Sequence, residues 1–268
     1  MLALAACAST SSRTSGAGDA RSAPHGAPRV LVFGGTGMIG GEIVRELRAR
    51  GLPVTVFARA SSNRARLAPL GVEFVTGDVE DEASIEAALR ARRYAVVVSS
   101  IARTDHDTAT HGVTIYATGN DRITRAARRA GVTQLVQVGT VGAGDSAGLV
   151  PPKIYEFARQ VFEDKSQAER TLVASGLRYT IVRTGVLLGG EATGTGRLSE
   201  DHTLLQPMRV ADIAREVAAC VGAPRCYDRI YHTSDPALLA LTPEQVAVEK
   251  AKLRVYKDAQ REKKKGPD

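Results

Sequence analysis

Residues 29–51 constrain the fold more than any other part of the chain, because they combine a strand, a glycine loop and a helix. The run Val30-Leu31-Val32-Phe33 is typical of a strand covered on both faces of a parallel sheet. The loop GGTGMIG follows at once, at 34–40. Gly51 predicts the end of the helix, whose apolar residues recur at helical spacing: Ile39, Ile43, Val44 and Leu47.

The glycines of this loop suit a dinucleotide site. One makes the tight turn, one lets backbone amides approach a pyrophosphate, and one lets the helix pack closely on the strand. The helix N-terminus then favours the phosphate charge. Glycine-rich turns are common, but the flanking strand and amphipathic helix favour a dinucleotide site over a structural loop. We therefore predict cofactor contacts along the whole loop: Gly34, Gly35, Thr36, Gly37, Met38, Ile39 and Gly40.

Strands and helices alternate along the rest of the chain. Short runs rich in β-branched residues predict strands at 53–57, 72–75, 94–98, 134–138, 179–182 and 229–233. Helices are predicted between them, including one at 154–174 with an apolar face of Phe157, Val161, Ala168 and Leu172. This alternation predicts an α/β, Rossmann-like, doubly wound parallel sheet with helices on both faces, binding ligands at the carboxyl ends of its strands.

Composition divides the chain into three parts. Residues 1–28 are mostly Ala, Ser, Gly and Thr, which predicts a disordered leader ahead of a domain at 29–238. Within the last part, 239–268, Thr242-Pro243-Glu244-Gln245 predicts the capped start of a charged helix. We expect that C-terminal helix to lie on the surface or to meet a partner.

Charge and aromatic content bear on the partners. The net charge of +7 is spread along the chain as far as the lysine block at 263–265, and only 4% of residues are aromatic. Proteins that bind single-stranded nucleic acid interleave basic and aromatic residues, so no nucleic-acid partner is predicted. The chain has no run of about eighteen apolar residues, so no transmembrane helix is predicted. A small-molecule substrate is the expected partner.

The leader contains Leu4-Ala5-Ala6-Cys7, which resembles a bacterial lipobox with a lipid anchor at Cys7. Only Met1 to Ala3 precede it, although a signal needs a charged region and a longer apolar run. Either the true start lies upstream and the protein is an exported, membrane-anchored periplasmic lipoprotein, or the match is chance and the protein is cytoplasmic. Cys220 and Cys226 leave the same choice open. A local disulfide between them would fit an oxidising compartment, and two free thiols would fit the cytoplasm.

A basic cluster follows the second predicted strand. In this fold an acidic residue about twenty positions after the glycine loop binds the ribose 2′-hydroxyl of NAD. That position is Arg59 here, and no Asp or Glu occurs between Glu46 and Glu73. Arg59 and Ser61 suit a 2′-phosphate through charge-assisted hydrogen bonds, with a solvated surface arginine as the alternative. We therefore predict that NADP(H) is preferred over NAD(H).

Further cofactor contacts are predicted at the carboxyl ends of the next two strands. Asp78 and Val79 follow the third strand, where they would lie against the adenine. Ser99 and Ser100 end the fourth strand, beside the expected ribose and nicotinamide.

Two other patterns suggest chemistry that their context does not support. The polar loop at 103–112 contains Asp105-His106-Asp107 and His111, but neighbouring residues on one loop rarely converge on an ion, so no metal site is predicted. Residues 144–148 match G-x-S-x-G, a nucleophile pattern that needs a strand running into a sharp turn and a helix. Because Pro151-Pro152 follows instead, we predict a flexible loop.

Lys165 falls on the apolar stripe of the helix predicted at 154–174, four residues after Val161 and three before Ala168. A lysine on such a stripe must reach a partner or solvent. Either its side chain passes the edge of the sheet, or it points into the ligand cleft. The positions of the fourth and fifth predicted strands favour the ligand cleft.

The motifs together resemble the atypical short-chain dehydrogenase/reductase family, particularly its NmrA-like and flavin/biliverdin-reductase-like members. The resemblance spans about residues 29–238. It rests on the glycine loop, Arg59, Gly77-Asp78-Val79, AARRAGV at 126–132, Val150-Pro151-Pro152, Lys165 with Glu169, SGLRYTIVR at 175–183 and VADIA at 210–214.

The resemblance implies roles for individual residues. Lys165 would hold the nicotinamide ribose, and Thr140 would hydrogen-bond the substrate after the fifth strand. The family's catalytic tyrosine would fall at Val161, so the usual proton donor is missing. Where family members carry Arg-Pro-Gly after the sixth strand, this chain has Arg183-Thr184-Gly185.

The missing tyrosine narrows the implied reaction. Ketone reduction needs an acid in the transition state, worth typically about a hundredfold in rate. Hydride transfer to a flavin, quinone or conjugated tetrapyrrole gives a delocalised anion that water can protonate. The resemblance therefore implies an NADPH-dependent oxidoreductase acting on a conjugated acceptor. The alternatives are a non-enzymatic NADP(H)-binding redox sensor of the NmrA-like type and, third, a nucleotide-sugar epimerase or dehydratase, although those enzymes resemble tyrosine-bearing members.

Overall fold

A computed structural model of the protein describes residues 26–102 and 115–262, with side chains as far as residue 253. The lipobox-like segment and the acidic and histidine residues at 103–112 lie outside the described residues.

Eight strands form the central sheet, and two short strands form a second one. In chain order the strands are β1 Val30–Phe33, β2 Val54–Ala58, β3 Glu73–Thr76, β4 Val96–Ser99, β5 Gln134–Thr140, β6 Arg178–Thr184, β7 Val186–Leu188, β8 Arg197–Ser199, β9 Pro207–Arg209 and β10 Arg229–Ser234. The central order is β3-β2-β1-β4-β5-β6-β10-β8, parallel except for β8, which runs antiparallel to β10. Strands β7 and β9 pair with each other.

The helices cover both faces of this sheet. They are α1 Met38–Ala49, α2 Glu82–Ala91, α3 Thr118–Arg129, α4 Pro152–Phe157, α5 Arg159–Val173, α6 Val210–Cys220 and α7 Pro243–Glu262. One layer contains α1 and α6, which pack against each other, and the other contains α2, α3 and α5. The predicted Rossmann-like, doubly wound sheet is confirmed.

Strand β1 consists only of apolar residues because both of its faces are covered by helices. Its successive side chains point to opposite faces, so Val30 and Val32 pack with the α1 and α6 layer. Leu31 and Phe33 pack with the α2, α3 and α5 layer. All four side chains are fully buried because β1 lies between β2 and β4 with a helical layer on each side.

The helix predicted at 154–174 is instead two helices, α4 and α5, which meet at Ala158. Pro151 and Pro152 start α4, and the backbone at Ala158 leaves the helical region, with φ −115° and ψ 20°. The break changes which side chains face the sheet. Phe157 is 92% exposed, whereas Phe162 is buried, so the prediction that Phe157 belongs to the apolar face was wrong.

The segment predicted as a flexible loop at 144–148 lies in an ordered 3₁₀ helix, Gly144–Leu149. Ser146 is buried, where its hydroxyl donates to the carbonyl oxygen of Ala143 at 2.7 Å. The same hydroxyl accepts the amide hydrogen of Gly142 at 3.0 Å. The prediction of a flexible loop was wrong, and this serine is part of a turn.

Two buried aspartates hold the glycine- and threonine-rich segment between β7 and β8. Asp212, at the start of α6, accepts hydrogen bonds from the amides of Thr193 at 2.7 Å and Gly194 at 3.1 Å. Asp235, after β10, accepts from the hydroxyls of Thr193 and Thr195, each at 2.5 Å. The segment is therefore anchored to two elements of the domain.

The C-terminal helix begins with the predicted capping box. The amide of Thr242 donates to the Gln245 side chain at 2.8 Å, and the amide of Gln245 donates to the Thr242 hydroxyl at 3.3 Å. Glu249 then forms an ion pair with Arg209 at 2.8 Å. Helix α7 therefore lies on the surface of the domain, against β7.

Cys220 and Cys226 are joined by a disulfide, with their Cα atoms 5.4 Å apart. The bond ties the end of α6 to the 3₁₀ helix Pro224–Cys226. Within the described part of the chain, no helix is both long and apolar enough to cross a lipid bilayer.

Candidate cofactor site

The glycine loop adopts a backbone that only glycine accommodates at two of its positions. Gly34 has φ +75°, and a Cβ atom there would lie 2.3 Å from the carbonyl oxygen of Ser100. A Cβ atom at Gly40 would lie 2.2 Å from the carbonyl oxygen of Gly34. The amide of Gly37 donates to that same carbonyl oxygen at 2.9 Å. The loop is therefore a tight turn between the end of β1 and the start of α1.

The N-terminus of α1 offers its amides to a ligand. Gly37 is the N-cap residue and makes no side-chain capping bond, and the first turn of α1 has no acidic residue. The first amides of a helix lack intrahelical partners, and the helix dipole favours negative charge there. This arrangement suits the predicted pyrophosphate site, beside the half-buried Thr36, Met38 and Ile39.

The basic cluster after β2 has two parts. Arg59 and Ser61 are exposed just beyond the end of the strand. Arg64 instead donates to the Thr76 hydroxyl at 2.8 Å, and its guanidinium lies 5.0 Å from the ring centroid of Phe74. Arg64 therefore stabilises β3, whereas Arg59 and Ser61 lie exposed beyond the end of β2, at the position predicted to contact the adenosine ribose.

The turn after β3 is closely packed. A Cβ atom at Gly77 would lie 2.4 Å from the ring of Phe57, so a larger residue here would have to displace that ring. The Asp78 amide donates to the Ser84 hydroxyl at 3.1 Å, and its carboxylate accepts the Glu80 amide at 3.1 Å. Asp78 and Val79 remain half-buried at the carboxyl end of the sheet, the position predicted for an adenine contact.

The two serines that follow β4 have different environments. Ser99 is buried, and its hydroxyl donates to Oδ1 of Asn120 at 2.6 Å. Ser100 is half-buried next to the glycine loop, with its amide donating to Phe33 at 3.0 Å. The burial of Ser99 therefore favours Ser100 for the predicted cofactor contact. Asn120 was not identified from the sequence, and no local pattern marks it.

Thr140 ends β5 beside Thr184 of β6. Its hydroxyl lies 3.1 Å from the carbonyl oxygen of Val141 and 3.4 Å from that of Thr184. The hydroxyl proton therefore has acceptors within the protein, and its oxygen remains able to accept a hydrogen bond from a ligand.

Lys165 lies on the side of α5 that faces α3. Its Nζ atom is 4.8 Å from the centroid of the Tyr116 ring, in the segment that leads into α3. Burial lowers the pKa of Lys165 to about 8, although the charge of Glu169 opposes this shift. A lysine with this pKa can donate hydrogen bonds to ribose hydroxyls at neutral pH. Val161, one turn earlier, provides no proton donor.

A buried arginine organises the neighbouring elements. Arg183 of β6 is almost fully buried, and its guanidinium donates to the Glu169 carboxylate of α5 at 2.8 to 3.2 Å. It also pairs with Asp145 and lies 3.4 Å from Nε2 of His232. Burial would raise the pKa of Asp145, but hydrogen bonds from His202 and Arg183 prevail and lower it to about 2.

The structure therefore brings most of the predicted residues to one edge of the sheet. The glycine loop, Arg59, Asp78, Ser100 and Thr140 all follow the carboxyl ends of adjacent parallel strands. The charge network around Arg183 was not predicted, because its three partners Glu169, Asp145 and His232 come from three separate elements. Among the described residues, no group of three or more acidic, histidine or cysteine residues is arranged to hold a metal ion.

Comparison with known proteins agrees with this geometry. A family model described as NAD(P)H-binding matches residues 34–224, most of the described domain. The chain therefore belongs to the NAD(P)H-binding family. Membership confirms the resemblance to the atypical dehydrogenase/reductase group and shows that the cofactor is NAD(P)H.

Several known proteins are similar to the chain along much of its length. Sterol demethylase protein B of Methylococcus capsulatus (strain Bath) is 32% identical over 172 residues, which cover 59% of this chain and 51% of that protein. The NAD(P)H azoreductase of Xenophilus azovorans is 25% identical over 194 residues, which cover 71% of this chain and 60% of that protein. The chain thus spans about half to three-fifths of the length of these relatives.

A solved structure with the same fold is that of ChuY, described as an anaerobilin reductase from Escherichia coli O157:H7. It superimposes with a TM-score of 0.69 and 26% sequence identity, over 80% of this chain and 99% of that one.

Proposed function

We propose that this member of the NAD(P)H-binding family is an NADPH-dependent oxidoreductase that reduces a planar, conjugated acceptor such as a flavin, a quinone or a tetrapyrrole. The observation that carries the proposal is the pair of positions on α5: the ammonium of Lys165 lies 4.8 Å from the centroid of the Tyr116 ring, whereas a valine occupies position 161, where the family resemblance would place the catalytic tyrosine. An acceptor that delocalises the incoming charge does not need that proton donor.

The chain's own residues supply binding and orientation. The amides of the glycine loop and of the first turn of α1 bind the pyrophosphate, and Asp78 lies against the adenine. Lys165 donates to the nicotinamide ribose, and the Thr140 hydroxyl forms a hydrogen bond with the acceptor. NADPH supplies the hydride when it is bound, and the protein fixes its distance from the acceptor. Water supplies the proton.

The preference for NADPH over NADH is part of the proposal. Arg59 is exposed at the end of β2, where a carboxylate would accept the two ribose hydroxyls of NADH. A guanidinium there attracts the 2′-phosphate of NADPH and offers it paired donors, and Ser61 adds a hydroxyl.

The names of two similar proteins support the proposal. One is named an NAD(P)H azoreductase and the other is described as an anaerobilin reductase. Both names describe reductases, in agreement with a reducing rather than an epimerising role.

A second candidate function is a non-enzymatic NADP(H)-binding regulator. The observation that favours it is the hydroxyl of Thr140, which lies within hydrogen-bond distance of two backbone carbonyl oxygens, together with the valine at position 161. Such a site would bind the cofactor and lack a group that donates a proton to a substrate.

The deciding experiment measures NADPH oxidation by the purified full chain with flavins, quinones, azo compounds, tetrapyrroles and simple ketones. NADPH binding is measured separately by fluorescence. Turnover on conjugated acceptors and not on ketones is expected. Efficient ketone reduction would contradict the acceptor class, and binding without turnover on any acceptor would establish the regulator. A chain that binds neither NADPH nor NADH would overturn both functions.

A further inference from the structure

The contact between Lys165 and Tyr116 joins two residues that are far apart in sequence. The Lys165 Nζ atom lies 4.8 Å from the centroid of the Tyr116 ring. An ammonium group within about 6 Å of an aromatic face is attracted by the ring electrons. Because Tyr116 precedes α3 and Lys165 lies on α5, the packing of α3 against α5 creates this contact.

Two hydrogen bonds connect the backbone of Tyr116 to β4. Its carbonyl oxygen accepts a hydrogen bond from Nδ2 of Asn120 at 2.7 Å. The Oδ1 atom of Asn120 accepts the hydroxyl hydrogen of Ser99 at 2.6 Å. The bond between Ser99 and Asn120 is buried, in a medium of low dielectric constant where it is strong, and the bond from Asn120 to Tyr116 is partly buried. These two hydrogen bonds connect Ser99, at the end of β4, through Asn120 to Tyr116, whose ring contacts Lys165.

On its own helix, Lys165 has one apolar neighbour and one charged neighbour that is already engaged by Arg183, although the charge of that neighbour, Glu169, also acts on the ammonium. Val161, one turn before it, is apolar. The carboxylate of Glu169, one turn after it, accepts three hydrogen bonds from Arg183. A free lysine side chain has many rotamers, and ordering it when a ligand binds costs conformational entropy. A contact made before binding reduces that cost.

We propose that Tyr116 is a positioning residue, whose ring face holds the Lys165 ammonium ready for the nicotinamide ribose. This inference rests on the proposed function, because it assigns Lys165 to the ribose. It gives Ser99 an indirect role: Ser99 acts on the cofactor site through Asn120 and Tyr116.

The test measures the binding of two ligands to the full chain. NADPH contains the nicotinamide ribose, whereas 2′,5′-ADP contains the adenosine half alone. The variants are Tyr116→Leu, which removes the ring, Tyr116→Phe, which keeps the ring, and Lys165→Met alone and combined with Tyr116→Leu. Tyr231→Leu, which removes a half-buried tyrosine of β10, is the matched control.

Tyr116→Leu should weaken NADPH binding about three- to tenfold, the usual range for losing such a contact, and should leave 2′,5′-ADP binding unchanged. Tyr116→Phe should recover most of the affinity for NADPH. In the Lys165→Met protein, adding Tyr116→Leu should cause no further loss, because the two residues act as one unit.

Three results would overturn the proposal: unchanged NADPH affinity in Tyr116→Leu, an equal loss with and without Lys165, or a loss in Tyr116→Phe as large as in Tyr116→Leu. If Tyr116→Leu also loses 2′,5′-ADP binding, its fold is disturbed, and Tyr116→Met, which keeps bulk without a ring, takes its place under the same criteria. Failure of the wild-type chain to bind either ligand would refute the proposed function instead, so the two failures are distinguishable.

Discussion

The carboxylate of Asp145 lies 2.8 Å from Nδ1 of His202, and this contact joins the 3₁₀ helix after β5 to the segment after β8. The other ring nitrogen of His202 lies 3.0 Å from the carbonyl oxygen of Ile230. Both partners accept hydrogen bonds, so the ring satisfies both only when each nitrogen carries a proton. Burial opposes protonation, but the bonds to Asp145 and Ile230 prevail and raise the pKa of His202.

This contact should make stability depend on pH. Because the folded pKa of His202 is raised, its stabilisation is complete below the unfolded value of about 6.5 and is lost as the pH rises through the folded value. We expect the wild type to lose about 0.5–1 kcal/mol of unfolding free energy relative to His202→Gln between about pH 6 and pH 8. Urea unfolding measures this. Parallel pH profiles for the two proteins would contradict the prediction.

Arg59→Glu should reverse the cofactor preference. The variant replaces a cation with a carboxylate that repels the 2′-phosphate and can accept the ribose hydroxyls of NADH. We expect NADPH to bind about tenfold more weakly or worse, with NADH binding unchanged or improved, by fluorescence titration. Arg90→Glu, an identical charge change on the exposed side of α2, is the control. A similar effect in both variants would show only a general charge effect.

Lys165→Met should change the pH dependence of cofactor binding. Since burial lowers the pKa of Lys165 to about 8, the wild-type lysine loses its charge as the pH rises through that value. NADPH affinity should therefore fall between about pH 7 and pH 9 in the wild type and stay level in Lys165→Met. Isothermal titration calorimetry at several pH values tests this. An equal fall in both proteins would exclude Lys165 as the titrating group.

Gly40→Ala and Gly41→Ala form a matched pair in the first turns of α1. The added methyl group at position 40 would lie 2.2 Å from the carbonyl oxygen of Gly34, whereas at position 41 it would meet the flexible end of Arg66 at 3.2 Å. We expect Gly40→Ala to lose at least about 2 kcal/mol of stability and most of its NADPH binding. Gly41→Ala should retain both, as thermal unfolding and titration would show.

The disulfide between Cys220 and Cys226 should stabilise the fold modestly. It closes a short loop, for which the chain-entropy estimate is about 2 kcal/mol. Reductant should lower the unfolding free energy of the wild type by about this amount and have no effect on Cys220→Ala/Cys226→Ala. Mass spectrometry of the native protein tests whether the bond forms in the cell. Two free thiols there would favour the cytoplasmic alternative, because disulfides persist in oxidising compartments.

The glycine loop could be predicted in detail from sequence because its geometry is local. Gly34 and Gly40 are separated by a few residues, and their steric demands arise within that turn. The α5 region was predicted less well. The periodicity of Phe157 matched a continuous helix, but the break at Ala158 rotated Phe157 to solvent and Phe162 into the core. Two partly overlapping helical patterns cannot be separated without the packing partner.

The sequence by itself determined the alternation of strands and helices, the glycine loop and the absence of an acidic residue after β2. These features follow from periodicity and backbone sterics over short stretches of chain. Only the tertiary structure decided that Tyr116 lies beneath Lys165, and that Arg183 binds Glu169 and Asp145. Such contacts join residues from separate elements, and their energies are realised only after the sheet and its helices have packed.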